Sequence, residues 1–301
     1  MSVTAMISHI SRGSLHDGPG VRTVVYLMGC PLRCRWCHNP EALLAHPRTV
    51  FKSNLCIGCG RCVDTCPEHH AVVNGKMVFR SEGCSACGRC VEACPAGALD
   101  VIGEKKSVDE VFEEIKKDLH YYTASGGGVT FSGGECLLYP EFVAALAKKC
   151  SNKGIHTAVE SSFCVPWAHV EAVLQWIDLF YVDCKLADPQ KHELYTGRDN
   201  RMILENLRKL AQTGKPTVLR IPIIPQVNDT REDMIRFGEI LSAYGQGIRS
   251  VELLKYNYLA RSKYELIGEA YTSFAQASQT DEEMAGYAQL LSEKTGLPVV
   301  F

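Results

Sequence analysis

The chain has 301 residues, 46% of them hydrophobic and 22% charged, with a formal net charge of -2, a balance ordinary for a globular protein with one large core or two smaller ones. Mixed acidic and basic residues exclude the electrostatic footprint of a nucleic-acid binder and the basic stripe that an anionic membrane attracts, and no run of about 18 apolar residues exists to span a bilayer. The anomaly is 15 cysteines; with nothing resembling a signal peptide at the N-terminus, they are expected reduced, in the cytoplasm, and not in disulfides.

The first element in chain order is an apolar run, Val21 to Met28, which reads as a buried strand and leads straight into Cys30-x3-Cys34-x2-Cys37, with Trp36 before the last member. Three thiolates on so short a loop can hold three irons of a [4Fe-4S] cube and leave the fourth iron open, which suits chemistry at the metal more than storage of an electron. From about residue 49 to 102 the chain is turn-rich and cysteine-dense. Cys56-x2-Cys59-x2-Cys62-x3-Cys66-Pro67 recurs there as Cys84-x2-Cys87-x2-Cys90-x3-Cys94-Pro95. This is the bacterial ferredoxin run, whose fourth cysteine crosses to the other cube. Cys56, Cys59, Cys62 and Cys94 are therefore assigned to one cluster, and Cys84, Cys87, Cys90 and Cys66 to the other. Zinc held by CxxC knuckles is the alternative. A unit this small needs its metals for stability, so the expected organisation is a barrel begun in 1-48, an inserted ferredoxin-like domain in 49-102, and the remainder of the barrel in 103-301. His69 and His70 beside the run read as a solvated loop.

Further on, Ser107-x-x-Glu110 is a capping box opening a helix with Val108, Val111, Phe112, Ile115 and Leu119 at helical spacing. Strands are expected at Gly128 to Ser132, Ile155 to Glu160, Leu179 to Lys185, Thr217 to Pro222 and Ser250 to Leu254, with helices near 140-153, 167-177, 199-213 and 229-244. Gly214 and Pro216 stop the third of these helices. Alternation of this kind predicts an α/β fold: a partial (β/α)6 TIM-like barrel whose strand C-terminal ends form the active face. Cys136, Cys150, Cys164 and Cys184 lie outside every motif and read as packing thiols.

Polar groups collect at those strand ends. Ser132-Gly133-Gly134-Glu135 joins two glycines, which let a backbone approach a ligand, to a carboxylate. Glu160 and Ser161 close the next strand, Asp183 and Lys185 flank Cys184, and Arg220 closes the fifth. Each alone reads equally as a solvated strand end or a structural ion pair; their convergence on the face carrying Cys30, Cys34 and Cys37 favours a site.

Taken together, Asp17-Gly18-Pro19-Gly20-Val21-Arg22, the cysteine loop through Cys37-His38-Asn39-Pro40-Glu41, the glycine-rich segment into Glu135, Asp183-Cys184-Lys185 and Arg220-Ile221-Pro222 resemble the glycyl radical enzyme activating enzymes of the radical S-adenosylmethionine (SAM) family. The resemblance covers essentially the whole chain and is to the larger members with a ferredoxin insertion. It implies that SAM chelates the open iron, that Gly133, Gly134 and Glu135 hold its amino end, and that Lys185 meets its carboxylate. It also implies that Glu160, Ser161 and Asp183, with the Tyr181 carbonyl, surround a monovalent cation, that Arg220 lies near the cofactor, and that Asn257 stands where the family has a histidine touching SAM. Glu160-Ser161 replaces the aspartate-threonine of the simplest relative. Asn257 also reads as a turn residue, and Asp17 as either a turn aspartate or part of a peptide entrance.

The implied reaction is reductive cleavage of SAM, fed by reduced flavodoxin or ferredoxin, to a 5'-deoxyadenosyl radical that removes an α-hydrogen from a glycine of a partner glycyl radical enzyme. A monomer that meets its partner transiently is expected, with three [4Fe-4S] clusters. Two rival classes share parts of the pattern: a radical SAM enzyme acting on another peptide or a small molecule, and a ferredoxin-type electron carrier.

Overall fold

The computed structural model describes residues 3-244 and 247-301. Its strands are β1 (Thr4–Ser14), β2 (Arg22–Leu27), β3 (Arg48–Phe51), β4 (His70–Val73), β5 (Lys76–Phe79), β6 (Leu99–Ile102), β7 (Glu104–Ser107), β8 (Gly128–Gly133), β9 (His156–Ser161), β10 (Leu179–Asp183), β11 (Thr217–Pro222), β12 (Ser250–Leu254) and β13 (Val299–Val300). Nine of them make one sheet in the order β13-β12-β11-β10-β9-β8-β2-β1-β7. From β2 through β8 to β13 every pairing is parallel, whereas β1 runs antiparallel to both β2 and β7. Among the described residues β13 and β7 remain its two edges, so the sheet is open and not closed on itself.

All six expected strands form, because each is a short apolar run that parallel neighbours can bury. Val24, Val25 and Leu27 of β2, and Val129 and Phe131 of β8, are fully buried. The connecting helices are amphipathic. Val111 and Ile115 of Val108–Lys116, Phe142 and Leu146 of Pro140–Ser151, Leu207 of Arg201–Gln212 and Phe237 of Arg231–Tyr244 all join the main core. Cys136, Cys150, Cys164 and Cys184 are buried in this core, as packing thiols should be. No helix among the described residues is long and apolar enough to cross a membrane.

Several elements had no counterpart in the sequence reading: β1, and the helices Leu119–Ser125, Pro189–Thr196, Arg261–Leu266 and Asp281–Thr295. β1 is held through Asp118, whose carboxylate accepts from Arg12 Nε at 2.8 Å and from Thr23 Oγ1 of β2 at 2.7 Å.

β3 to β6 lie outside the large sheet. β3 pairs antiparallel with β6, and β4 with β5. Short helices at Arg61–Thr65 and Arg89–Glu92 each follow a left-handed glycine, Gly60 at φ 76° and Gly88 at φ 79°. Phe51, Cys62, Phe79, Cys90, Ala98 and Leu99 form a core of their own here. His70 corrects the expectation of a solvated loop: it opens β4 and is 2% exposed, its ring stacked on Phe79 with centroids 5.3 Å apart. Strand pairing of His70 with Phe79 turns the imidazole inward.

Candidate functional site

The C-terminal ends of the parallel strands open on a single cavity of about 340 Å³, with Cys30, Cys34 and Cys37 in its wall. The cysteine loop is fastened on two sides. Gly29 N–H donates to the Ala42 carbonyl at 2.8 Å and Cys30 N–H to that of Leu43 at 3.1 Å. Arg33 and Arg35 N–H donate to the carbonyls of Thr196 and Tyr195, at 2.7 and 3.0 Å, so the unanticipated helix Pro189–Thr196 offers its C-terminal acceptors to the loop. Trp36 is buried against Tyr195 and Phe274. Burial pushes the free thiols of Cys30 and Cys34 up to about 12 and that of Cys37 to about 11. Such thiols ionise when iron binds and not before, which couples loading to proton release. Three convergent thiols in a deep cavity fit a cluster with one open corner.

Gly133 and Gly134 line the same cavity, but their lack of side chains serves another backbone. A Cβ on Gly134 would stand 2.3 Å from the Gly29 carbonyl oxygen and 2.6 Å from that of Ala42, and one on Gly133 2.2 Å from that of Leu27. Only glycine lets β8 pass this close to the cysteine loop, and the junction is bonded by Gly134 N–H to Leu27 O at 2.8 Å and Glu135 N–H to Gly29 O at 2.7 Å.

Glu135 does not line the cavity. It is fully buried, and its carboxylate accepts from Leu137 N–H at 3.1 Å, Ser161 Oγ at 2.8 Å, Ser162 N–H at 3.0 Å and Ser162 Oγ at 2.7 Å. Burial raises its pKa against the pull of those donors. Its place in the geometry is to fix Ser161 and Ser162, both of which do border the cavity.

Glu160, Asp183, Lys185, Arg220 and Asn257 all border it too. Arg220 donates through Nη1 to Glu160, through Nε to Glu252 at 2.6 Å and through Nη2 to the His16 carbonyl at 3.3 Å, with its Cζ 3.9 Å from the Tyr181 ring centroid. Burial opposes the guanidinium charge, but Glu160 and Glu252 outweigh it and raise the Arg220 pKa. Burial likewise pushes Glu160 up, countered by Arg220 and by Ser132 Oγ donating at 2.7 Å. Lys185 Nζ lies 2.8 Å from Asp183 Oδ2; desolvation disfavours its charge, yet Asp183 holds its pKa up. The two carboxylates expected around a monovalent cation are thus each paired with a fixed cation of the chain. Asn257 caps a turn, Oδ1 accepting from Leu259 N–H at 2.9 Å, and its carbonyl lies 3.0 Å from His38 Nε2, which must carry the proton to donate there. Asp17 accepts from Ser14 Oγ, while its carbonyl takes the Thr130 hydroxyl at 2.6 Å.

Ser162, Lys255 and Tyr256, which also border the cavity, and Glu252, which holds Arg220, went unremarked in the sequence. Glu252 carried a signal, being the one charge inside the strand Ser250 to Leu254.

In the small unit, Cys56, Cys59, Cys62 and Cys94 border one narrow cavity, walled by Phe51 and Leu99. Burial raises the Cys90 pKa, and Cys84, Cys66 and Cys87 are its neighbouring thiols. Among the described residues no three Cys, His, Asp or Glu side chains gather tightly enough for one metal ion.

The family model of the Radical SAM superfamily matches residues 24–238. Over 280 residues the chain is 42% identical to the (2S)-3-sulfopropanediol dehydratase activating enzyme of Klebsiella oxytoca, spanning 90% of this chain and 87% of that protein. It is 41% identical over 273 residues to the benzylsuccinate synthase activating enzyme of Thauera aromatica, spanning 88% and 82%. The solved structure of Streptococcus suis SuiB bound to precursor peptide SuiA shares the fold, with a TM-score of 0.55 at 12% identity over 92% of this chain and 47% of that one.

Proposed function

From the premise that this chain belongs to the radical SAM superfamily, and within it to the activating enzymes of glycyl radical enzymes, we propose that it installs a glycyl radical on a partner enzyme. The observation that carries the reading is the convergence of Cys30, Cys34 and Cys37 with Lys185, Arg220 and the Gly133–Gly134 backbone on one cavity. A [4Fe-4S] cluster held by Cys30, Cys34 and Cys37 would supply the electron for reductive cleavage of bound SAM to methionine, and the 5'-deoxyadenosyl group so released would leave as 5'-deoxyadenosine with the glycine α-hydrogen.

What the chain's own residues do follows from their charges and placement. Lys185, held charged by Asp183, is the partner for the SAM carboxylate. The backbone at Gly133 and Gly134 faces the amino end, and Ser161 and Ser162, set by Glu135, border the same wall. Arg220 is locked between Glu160 and Glu252, so it orients Glu160 at the rim and supplies the positive charge that a metal cation would otherwise bring. Asn257 and the His38 bonded to its carbonyl border the cavity opposite.

The open sheet supports a partial barrel, and the separate core and strand pairing of residues 49-102 support an inserted ferredoxin-like module. On this reading that module carries two [4Fe-4S] clusters, on Cys56, Cys59, Cys62, Cys94 and on Cys84, Cys87, Cys90, Cys66, for three in all. Reduced flavodoxin or ferredoxin is the donor class, the reducing cytoplasm the compartment, and a monomer the working form. The named relatives activate enzymes of dissimilar chemistry, so the glycine loop, and not the partner's own substrate, is what this cavity reads.

The test is anaerobic reconstitution, an iron count, and dithionite reduction with SAM, comparing the wild type with Cys34→Ala. About twelve irons and formation of 5'-deoxyadenosine, abolished in the variant, are expected. A glycyl radical signal in EPR should then appear on an added glycyl radical enzyme. About eight irons without cleavage would instead establish an electron carrier, and cleavage with no radical on any glycyl enzyme would favour another peptide or a small molecule as substrate.

A further inference from the structure

Residues 49-102 carry an internal repeat, and a buried leucine of one half stands where the other has a buried histidine. In the first half Phe51 is the register partner of Leu99, and Lys52 N–H donates to the Ala98 carbonyl at 2.7 Å. In the second, Phe79 is the partner of His70, and Arg80 N–H donates to the His69 carbonyl at 2.8 Å. Phe51 and Phe79 each stand five residues before the first cysteine of a run, Cys56 or Cys84. The backbone therefore puts His70 where the other half has Leu99.

Phe51 and Leu99 wall the cavity of Cys56, Cys59, Cys62 and Cys94. Phe79 and His70 are their register counterparts, and His70 N–H is bonded to the carbonyl of Cys66, a member of the other thiol set, at 3.1 Å. The His70 side chain is buried, yet neither ring nitrogen has a hydrogen-bond partner among the described residues. An imidazole left bare in a core is costly, and a leucine would avoid that cost. A cluster bound by the neighbouring thiols would supply the missing acceptor. In either protonation state the ring carries at least one N–H.

We propose that the His70 ring donates an N–H···S hydrogen bond to the cluster held by Cys66, Cys84, Cys87 and Cys90, making the two ferredoxin-type clusters unequal. The inference rests on reading residues 49-102 as a two-cluster module. A donor aimed at cluster sulfur favours the more negative, reduced form and raises the reduction potential. Cys84 also borders a cavity shared with Leu44, Gly268 and Glu269, which lie outside the module, whereas the first thiol set is enclosed by module residues alone. The favoured cluster is thus the one at the seam with the main sheet, where an electron rests before onward transfer.

The experiment is an EPR-monitored potentiometric titration of the full reconstituted chain and of His70→Leu, which copies Leu99, with iron counted in both. Expected is a fall of one module cluster's midpoint by about 59 mV, a tenfold change in a one-electron equilibrium, with the other midpoint and the iron content unchanged. His70→Gln, which keeps a donor, should retain most of the original value. Pulsed EPR of wild type labelled with 15N-histidine should reveal a weak histidine coupling to one reduced cluster, and it decides the matter even if His70→Leu sheds iron. Unshifted midpoints at full iron content, or no histidine coupling, overturn the hydrogen bond while leaving the module intact. About four irons in the wild type would overturn the module itself, and the inference with it.

Discussion

Glu135 shows how a charge beside a cofactor cavity can work without facing it. Its four donors come from Leu137, Ser161 and Ser162, so the carboxylate is a clamp between the β8 turn and the end of β9. In Glu135→Gln one oxygen becomes an NH₂ that must confront a donor, at worst the Ser162 N–H. Removing an acceptor from a buried donor costs about 1–3 kcal/mol. The expected outcome is a lower Tm together with a raised KM for SAM, because Ser161 and Ser162 shift; an unchanged KM would mean that the clamp is purely structural. The cysteine runs were legible in sequence because they are defined by local spacing. The inward turn of Glu135 was not, since Ser161 and Ser162 come from the end of another strand, and the seating of Arg220 between Glu160 and Glu252 likewise needs the register that runs from β9 across β10 to β11 and β12.

Among the elements, parallel strands proved the most legible, because burial on both sides writes them as short, largely apolar segments such as Val24 to Leu27 or Val129 to Phe131. β1 was not, since Thr4–Ser14 mixes polar residues and a glycine at the sheet's antiparallel side. The helix Asp281–Thr295 carried a capping box, Thr280 with Glu283, that is visible in the sequence once sought; Pro189–Thr196 lacks an apolar stripe altogether. β1 depends on Asp118, whose hydrogen bond from Arg12 holds its carboxyl below the usual range. A depressed folded pKa means the stabilisation is present above the unfolded value of about 4 and is lost as pH falls through the folded one. Arg12 is 45% exposed, so solvent weakens that pair and the buried bond from Thr23 carries more of the effect. Asp118→Asn should cost about 1–3 kcal/mol at neutral pH and flatten the acid limb of stability below pH about 4. Chemical unfolding across that range measures both; an acid limb identical to the wild type would refute the assignment.

On the scale of the whole molecule, the small unit contributes no strand to the nine-stranded sheet, and its two ends, Arg48 and Ile102, sit opposite each other as strand partners. Replacing residues 49-101 by an Asn-Gly turn therefore closes the chain without moving the cysteine loop. The shortened protein should fold, bind about four irons and still cleave SAM with dithionite, while its turnover with a protein donor falls. Iron analysis and 5'-deoxyadenosine yield with each reductant would check this, and loss of cleavage with dithionite would show that the unit is needed for more than electron supply.

The parallel pairing of β2 with β8, Arg22 opposite Gly128 through Leu27 opposite Gly133, joins segments separated by about a hundred residues of chain, a closure whose entropy must be met before the pairing rewards it. During synthesis β2 waits, with its apolar side chains bare, until β8 leaves the ribosome. On the proposed reading of residues 49-102, a metal-clipped unit that folds in the interval brings Arg48 beside Ile102 and shortens the effective loop by roughly half. Iron supply thereby becomes a matter of protein birth as well as of catalysis: in iron-starved cells the chain should accumulate as aggregate, and not as a soluble apo-enzyme awaiting repair.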